Sequence, residues 1–329
     1  MRISPSGSIH GPRQTEIINQ YKQGQIALAD ALRTLSGDGR PAGTAATDDA
    51  KVTRERLLEI LSELNSLVGL ESVKETVREV FALIYMQQRR QQLSLKTDPV
   101  VLHMVFKGNP GTGKTTVARL LAKMFHESGL LEKGHLVEVE RADLVGEYVG
   151  HTAQKTREHI KRALGGVLFI DEAYSLARGG EKDFGREAID TLVKSMEDYR
   201  NQFIAIIAGY EREMEWFLST NPGLPSRFPI HLSFPDYDLG TLLTIAKGML
   251  TERDYKLSLD AEQKLRMLLE RKRQTEQWYG HFSNARLVRN TIEEAIRKHA
   301  IRLFNERRVS KDQAMTLSVV DFAGEGVAK

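Results

Sequence analysis

The chain has 329 residues, enough for two or three domains, and its 47 basic against 44 acidic side chains leave a formal net charge of +3, a balance that predicts no nucleic-acid partner. It contains no cysteine, which excludes disulfides, thiolate–zinc sites and thiol catalysis. The first thirty residues hold no apolar signal core and no run approaches about 18 consecutive apolar residues, so neither export nor a membrane span is predicted and the cytoplasm is the expected compartment.

Residues 1–50 open with Ser/Gly/Pro-rich sequence, pass through one short helical pattern from Glu16 to Leu35, and close on Gly37 to Asp49 without apolar period. This reads as a weakly ordered N-terminal arm, with a small docking module as the alternative. A nucleotide-binding α/β domain is expected over 51–235, starting with lead-in helices. Leu57, Leu58, Leu61 and Leu64 mark the first of these, which stops at Val68-Gly69. Val73, Val77, Phe81 and Ile84 mark the second, from Glu71.

Strand-length apolar runs then alternate with helical patterns: Val100 to Phe106, Leu136 to Val139, Val167 to Ile170, Phe203 to Ala208 and Ile230 to Phe234. That alternation predicts right-handed crossovers and a five-stranded parallel sheet flanked by helices, with ligands bound beyond the carboxyl ends of the strands. After Pro235 the pattern is helical, over Leu239 to Arg253, Ala261 to Lys272 and Asn284 to Asn305, which predicts a small all-helical domain over 236–329.

The first predicted strand runs into Gly108-Asn109-Pro110-Gly111-Thr112-Gly113-Lys114-Thr115-Thr116, a fit to the G-x-x-x-x-G-K-[ST] phosphate-binding loop. Its glycines free backbone N–H groups to surround a polyphosphate, and the helix that follows presents its positive end to the same anion. In ATP-binding loops of this kind Lys114 reaches the β- and γ-phosphates and the Thr115 hydroxyl ligates Mg²⁺. The context, a buried-type strand before and an amphipathic helix carrying Val117, Leu120, Leu121, Met124 and Phe125 after, supports that reading over a plain glycine-rich turn.

After the second strand, Gly146-Glu147-Tyr148-Val149-Gly150 places an aromatic–aliphatic pair between glycines. An exposed Tyr148-Val149 tip would suit gripping an extended polypeptide, and a core tyrosine is an equal alternative. The third strand ends in Asp171-Glu172. Adjacent acids there need a cation or a reacting group: Asp171 suits the Mg²⁺ shell and Glu172 the water that attacks the γ-phosphate, against a simple helix N-cap pair. Arg227 lies in a proline-rich loop before the fifth strand, and Arg286 starts the last long helix. Taken alone, each is better read as a solvated surface charge. The nine histidines show no metal-ligand spacing.

Together these motifs resemble the AAA+ ATPases, and among them the CbbX family. The resemblance is carried by Phe106 to Thr116, Asp143 to Thr152, Phe169 to Tyr174 and Asn284 to Asn290, and covers roughly residues 55–310. It implies a P-loop ATPase with a helical lid, working as a homo-oligomeric, hexameric ring with ATP and Mg²⁺ at each subunit interface and pulling a protein client through a central pore. Arg227 would match the arginine finger, Arg286 the sensor arginine of the lid, and Tyr148 the aromatic of the first pore loop. The family includes remodellers of red-type Rubisco and a sporulation branch; the Glu147-Tyr148-Val149 tip and the Gly179 to Phe184 loop resemble the latter. At the end of the fourth strand the chain has Ala208-Gly209-Tyr210 where many AAA+ proteins carry Asn or Thr, leaving Tyr210 as the candidate there. Two other readings of the same core are a nucleic-acid-handling motor and a nucleotide-gated scaffold with negligible turnover. The first lacks a basic surface signal and the second leaves Glu172 without a role.

Overall fold

The computed structural model describes residues 56–329 apart from 98–99, 149, 180–182, 281, 305 and 323–329. The expected arm over 1–50, the helical pattern within it, and Val149 lie outside the described residues.

The chain is helical over 56–66 and turns at Gly69-Leu70, both with positive φ (71° and 65°), into α1 (Glu71–Gln92). Val73, Val77 and Ile84 of α1 are buried as their spacing predicts, whereas Phe81 is half-buried. Five parallel strands follow: β1 (Met104–Gly108), β2 (Leu136–Val139), β3 (Val167–Ile170), β4 (Ile204–Gly209) and β5 (Ile230–Phe234). They are arranged in the order β2-β3-β4-β1-β5. All residues of β3 and β4 are buried, so both strands are apolar throughout, while the edge strand β5 alternates. The Phe106 ring packs on Phe169 and Phe234, joining β1, β3 and β5 through the core.

Two strands, β1 and β4, differ from the sequence expectation at both ends, β1 running on to Gly108. β1 starts at Met104 rather than Val100, because pairing with β4 and β5 begins at Met104, opposite Ile206 and Ile230. β4 is displaced by one residue, running to Gly209. Helix α2 (Lys114–Glu127) follows β1, with Val117, Leu121, Met124 and Phe125 on its buried face. Next come the short α3 (Arg141–Leu144), α4 (His151–Ala163) and α5 (Gly185–Asp198), then α6 (Glu211–Ser219) and α7 (Gly223–Arg227) between β4 and β5. The parallel register brings the carboxyl ends of β1, β3 and β4 to one edge of the sheet.

Beyond β5 lie α8 (Leu239–Thr251), α9 (Leu259–Trp278) and α10 (Ala285–Phe304). Asp238 caps α8 by accepting from the Thr241 N–H (2.7 Å), and Ser258 caps α9 by accepting from the Ala261 N–H (3.2 Å). This helical unit also carries a short parallel ladder, β6 (Lys256–Leu257) with β7 (Thr316–Leu317), which α11 (Lys311–Met315) precedes. Strands this short leave no apolar period in a sequence. Asp321, buried, accepts from Arg302 Nε and Nη2, each at 2.9 Å, and closes the end of the unit onto α10. Among the described residues no helix is long and apolar enough to cross a membrane.

His103, just before β1, is buried between the Phe203 and Phe228 rings, and its Nδ1 accepts from the Ala205 N–H at 2.9 Å. Burial lowers its pKa from 6.5 to about 4. Between those values the unfolded chain binds the proton and the folded chain does not, so the stabilisation is fully present above pH 6.5 and is lost as pH falls toward 4. At pH 5 this one group should cost about 2 kcal/mol relative to pH 7.5. Urea denaturation of wild type and His103→Asn at both pH values checks it: the variant, whose amide oxygen keeps the acceptor, should lose that part of the pH dependence.

Candidate active site

Gly108 closes β1 with φ 155°, and a side chain there would collide with the Phe234 carbonyl of β5. Gly111, at φ 71°, sits where a Cβ would strike the Ser283 carbonyl ahead of α10. The loop therefore runs with its backbone pressed between the last strand and the helical unit, and the Ala285 N–H donates to the Gly111 carbonyl at 3.1 Å. Lys114, the first residue of α2, folds back so that its ammonium donates to the Gly108 and Asn109 carbonyls, each at 2.8 Å. Burial pulls its pKa below the ordinary lysine value. Asp171 opposes that shift, Arg286 adds to it, and Glu172 and Asp236 oppose it more weakly.

A cavity of about 680 Å³ opens over this loop. Gly108, Pro110, Gly111, Gly113, Lys114, Thr115 and Thr116 form its floor, Asp171 and Glu172 reach it from the end of β3, and Arg286 enters from α10. Asn109 and Thr112 turn away from it. The Thr112 hydroxyl donates to the Asn109 carbonyl at 2.8 Å, and the Asn109 amide donates to both Asp236 oxygens at 2.9 Å. Glu172 has a left-handed backbone (φ 46°, ψ 42°), costly for a residue with a Cβ, and its N–H donates to Asp171 Oδ1 at 3.0 Å. That turn separates the two acids: Asp171 is half-buried and Glu172 exposed. Tyr210, at the end of β4, lines the same cavity. Burial, followed by the Glu172 charge, raises its pKa, so its hydroxyl keeps its proton at neutral pH.

Several residues of this site give no motif signal. Leu67, Val68 and Leu70 from the turn before α1, with Ile245 and Met249 of α8, give the cavity apolar lining of the kind that takes a planar base. Arg253 and Arg289 add two cations to the wall. Asp236 also accepts from the Asn284 amide at 2.7 Å. Asn284, fully buried, in turn accepts from the Tyr237 N–H at 2.8 Å and donates to the Pro110 carbonyl at 3.3 Å. The Tyr237 hydroxyl donates to the Thr112 carbonyl at 2.8 Å. Loop, β5 exit and α10 are thus joined by one set of hydrogen bonds. The available sequence signal is modest: a Pro-Asp-Tyr exit from the last strand and an Asn at a helix start.

Arg227 and Tyr148 stand apart from the cavity. Arg227 ends α7, donates to Glu197 Oε2 at 2.6 Å and to the Gly223 carbonyl at 3.2 Å, and borders a second cavity of about 290 Å³. Tyr148 is 66% exposed at the tip of its loop, with its ring edge-on to His151 at 5.4 Å. At the root of that loop Arg141 donates to the Ser175 carbonyl (2.7 Å) and to both oxygens of Asp183 (2.7 and 2.8 Å). Burial works against ionisation of Asp183, but the Arg141 and Gly185 N–H bonds outweigh it and hold the carboxyl below its ordinary range.

Two family models match the chain: the ATPase family associated with various cellular activities (AAA) over residues 104–236, and the AAA lid domain over 240–327. Stage V sporulation protein K of Bacillus subtilis is 57% identical over 81% of this chain and 83% of its own, and Protein CbbX of Cereibacter sphaeroides is 48% identical over 75% and 79%. The chain is a CbbX-like AAA+ ATPase. A chloroplastic ribulose bisphosphate carboxylase/oxygenase activase of Cyanidioschyzon merolae is 45% identical over 87% of this chain and 94% of its own. Among solved structures, the FIGL-1 AAA domain in complex with ADP shares the fold at a TM-score of 0.54 and 19% identity, covering 78% of this chain and 80% of that one. A mutant RuvB of Thermotoga maritima does so at 0.51 and 18%, covering 79% and 69%. This AAA+ ATPase hydrolyses ATP, and its α/β core is followed by the helical lid.

Replacing Asn284 by Ala removes the buried acceptor of Tyr237 N–H and one of the donors to Asp236. Stability should fall by about 2–4 kcal/mol, and a fluorescent ADP analogue should bind more weakly. Urea melts and a nucleotide titration on the same protein check both.

Proposed function

We propose that this ATPase assembles into a homo-oligomeric ring, most simply a hexamer, that couples hydrolysis to pulling a protein client through a central pore, and that it does so in the cytoplasm in the sporulation branch of its family. The α/β domain is taken as 51–235 and the lid as 236–329. The observation that carries the ring is the position of Arg227: it borders a different cavity from the one that gathers Lys114, Asp171, Glu172 and Arg286. An arginine so placed acts on nucleotide only when a neighbouring copy presents it. The high identity to a sporulation protein supports the biological branch, and the exposed Tyr148 supports a polypeptide as client.

In this reading the backbone N–H groups from Gly108 to Thr115 surround the phosphates of ATP, and Lys114 exchanges its loop carbonyls for the β- and γ-phosphate oxygens. The Thr115 hydroxyl and the Asp171 carboxylate are hard oxygen donors at the right end of the cavity to hold Mg²⁺, an ion that keeps most of its remaining ligands as water and phosphate. Bound there, Mg²⁺ would neutralise charge developing on the phosphate oxygens. Glu172 accepts a proton from the attacking water, Tyr210 donates to that water or to the γ-phosphate, and Arg286 brings the lid onto the nucleotide. Arg227 of the adjacent copy stabilises charge on the transferred phosphoryl group.

Two outcomes test this. ATP hydrolysis per subunit should rise with protein concentration as light scattering records assembly, and Glu172→Gln should assemble in ATP yet turn over at least about a hundred-fold more slowly. Mixing Glu172→Gln with Arg227→Ala, each inactive alone, should restore part of the rate, because mixed interfaces then pair an intact Glu172 with an intact Arg227. A concentration-independent rate from a persistent monomer would eliminate the ring.

A further inference from the structure

Helix α5 presents one stripe, Asp190, Val193 and Glu197, to the segment that bears Arg227. Asp190 Oδ1 accepts from the Asn221 amide at 3.2 Å, and Asn221 Oδ1 accepts from the Gly223 N–H at 2.8 Å, fixing the start of α7. Gly223 lies against the Val193 side chain. Glu197 Oε2 then accepts from Arg227 Nη2 at 2.6 Å, while Nη1 donates to the Gly223 carbonyl at 3.2 Å. Spacings of three and four residues put these groups on a single face of α5, so a short helix is held at its beginning and at its end.

We infer that Glu197 is a positioning residue for the reaction: it sets the direction of the Arg227 guanidinium before a neighbouring subunit's nucleotide arrives. This rests on the proposed trans role of Arg227. Three features favour aiming over either ballast or a latch. A solvent-exposed ion pair is worth little to folding, and Glu197 is 71% exposed, so stability does not explain the contact. The Arg227 side chain is 30% exposed and its guanidinium is held on two nitrogens by groups from two elements, which restrains its swing without covering it fully. The Glu197 carboxylate engages Nη2 and the Gly223 carbonyl Nη1, so of the five N–H groups of the planar fork three are left for phosphate oxygens.

The test compares wild type, Glu197→Ala, Glu197→Gln and Arg227→Ala as full-length proteins, at concentrations where light scattering shows assembly complete. Glu197→Ala should lower kcat for ATP on the order of ten-fold with KM and assembled mass unchanged, because misdirecting one group by a fraction of an ångström acts on the transition state and not on ATP binding. Glu197→Gln, whose amide oxygen accepts the same hydrogen bond, should return kcat to within about two-fold of wild type. A wild-type or faster rate in Glu197→Ala, a Gln variant as slow as the Ala variant, or a loss of assembled mass in Glu197→Ala would each overturn the inference. A wild-type rate in Arg227→Ala would instead remove the trans reading beneath it. Arg227→Ala impaired with Glu197→Ala unaffected would leave that reading standing and eliminate the role of Glu197.

Discussion

The Asp236 carboxylate accepts from the Asn109 and Asn284 carboxamides at once, and so ties the phosphate-binding loop to the start of α10 through a single acid at the exit of β5. Much of the site follows from that bond set. It turns the Asn109 side chain away from the cavity, and with Gly111 lacking a side chain it lets the lid backbone rest on the loop. Arg286, two residues beyond Asn284, is thereby delivered to the cavity that Lys114 also lines. Lid and loop thus share one hydrogen-bond acceptor, and a change at Asp236 reaches both.

The end of β3 shows the opposite economy. Four buried apolar residues drive the strand into the sheet, and its polar continuation has to turn at once. The turn falls on Glu172, in a backbone region that glycine would enter with less strain. A glycine would bring no carboxylate. Tyr174, buried two residues later, anchors the far side of the turn, and its hydroxyl is pushed up to about 12, first by burial and then by the Glu172 charge. The local cost is held in place by packing, and its product is an exposed carboxylate next to a half-buried one.

What the sequence made legible was whatever one stretch could specify alone. The loop from Gly108 to Thr116 and the acids at Asp171-Glu172 are local patterns tied to strand ends, and a sheet whose inner strands are buried on both faces writes itself as unbroken apolar runs. Asp236, Tyr237 and the apolar lining from Val68 and Met249 escaped because each gains meaning only from partners far along the chain, brought close by the fold. The same limit applies to the β6–β7 ladder, in which two pairs of residues meet from either side of α9 and α10. Val100 to His103 extend the apolar run of β1 without joining its ladder: Leu102 and His103 are buried, and His103 satisfies a β4 amide in place of a backbone carbonyl.

The guanidinium of Arg141 holds the Ser175 carbonyl and both oxygens of Asp183 together. It thus roots the loop that carries Tyr148 on the same point as the loop that leads into α5. One inheritance follows. Positions 141 and 183 form a single heritable unit: in a diverging lineage, loss of the arginine strands a half-buried carboxylate and loss of the aspartate strands a cation, so the two should be kept or exchanged as a pair.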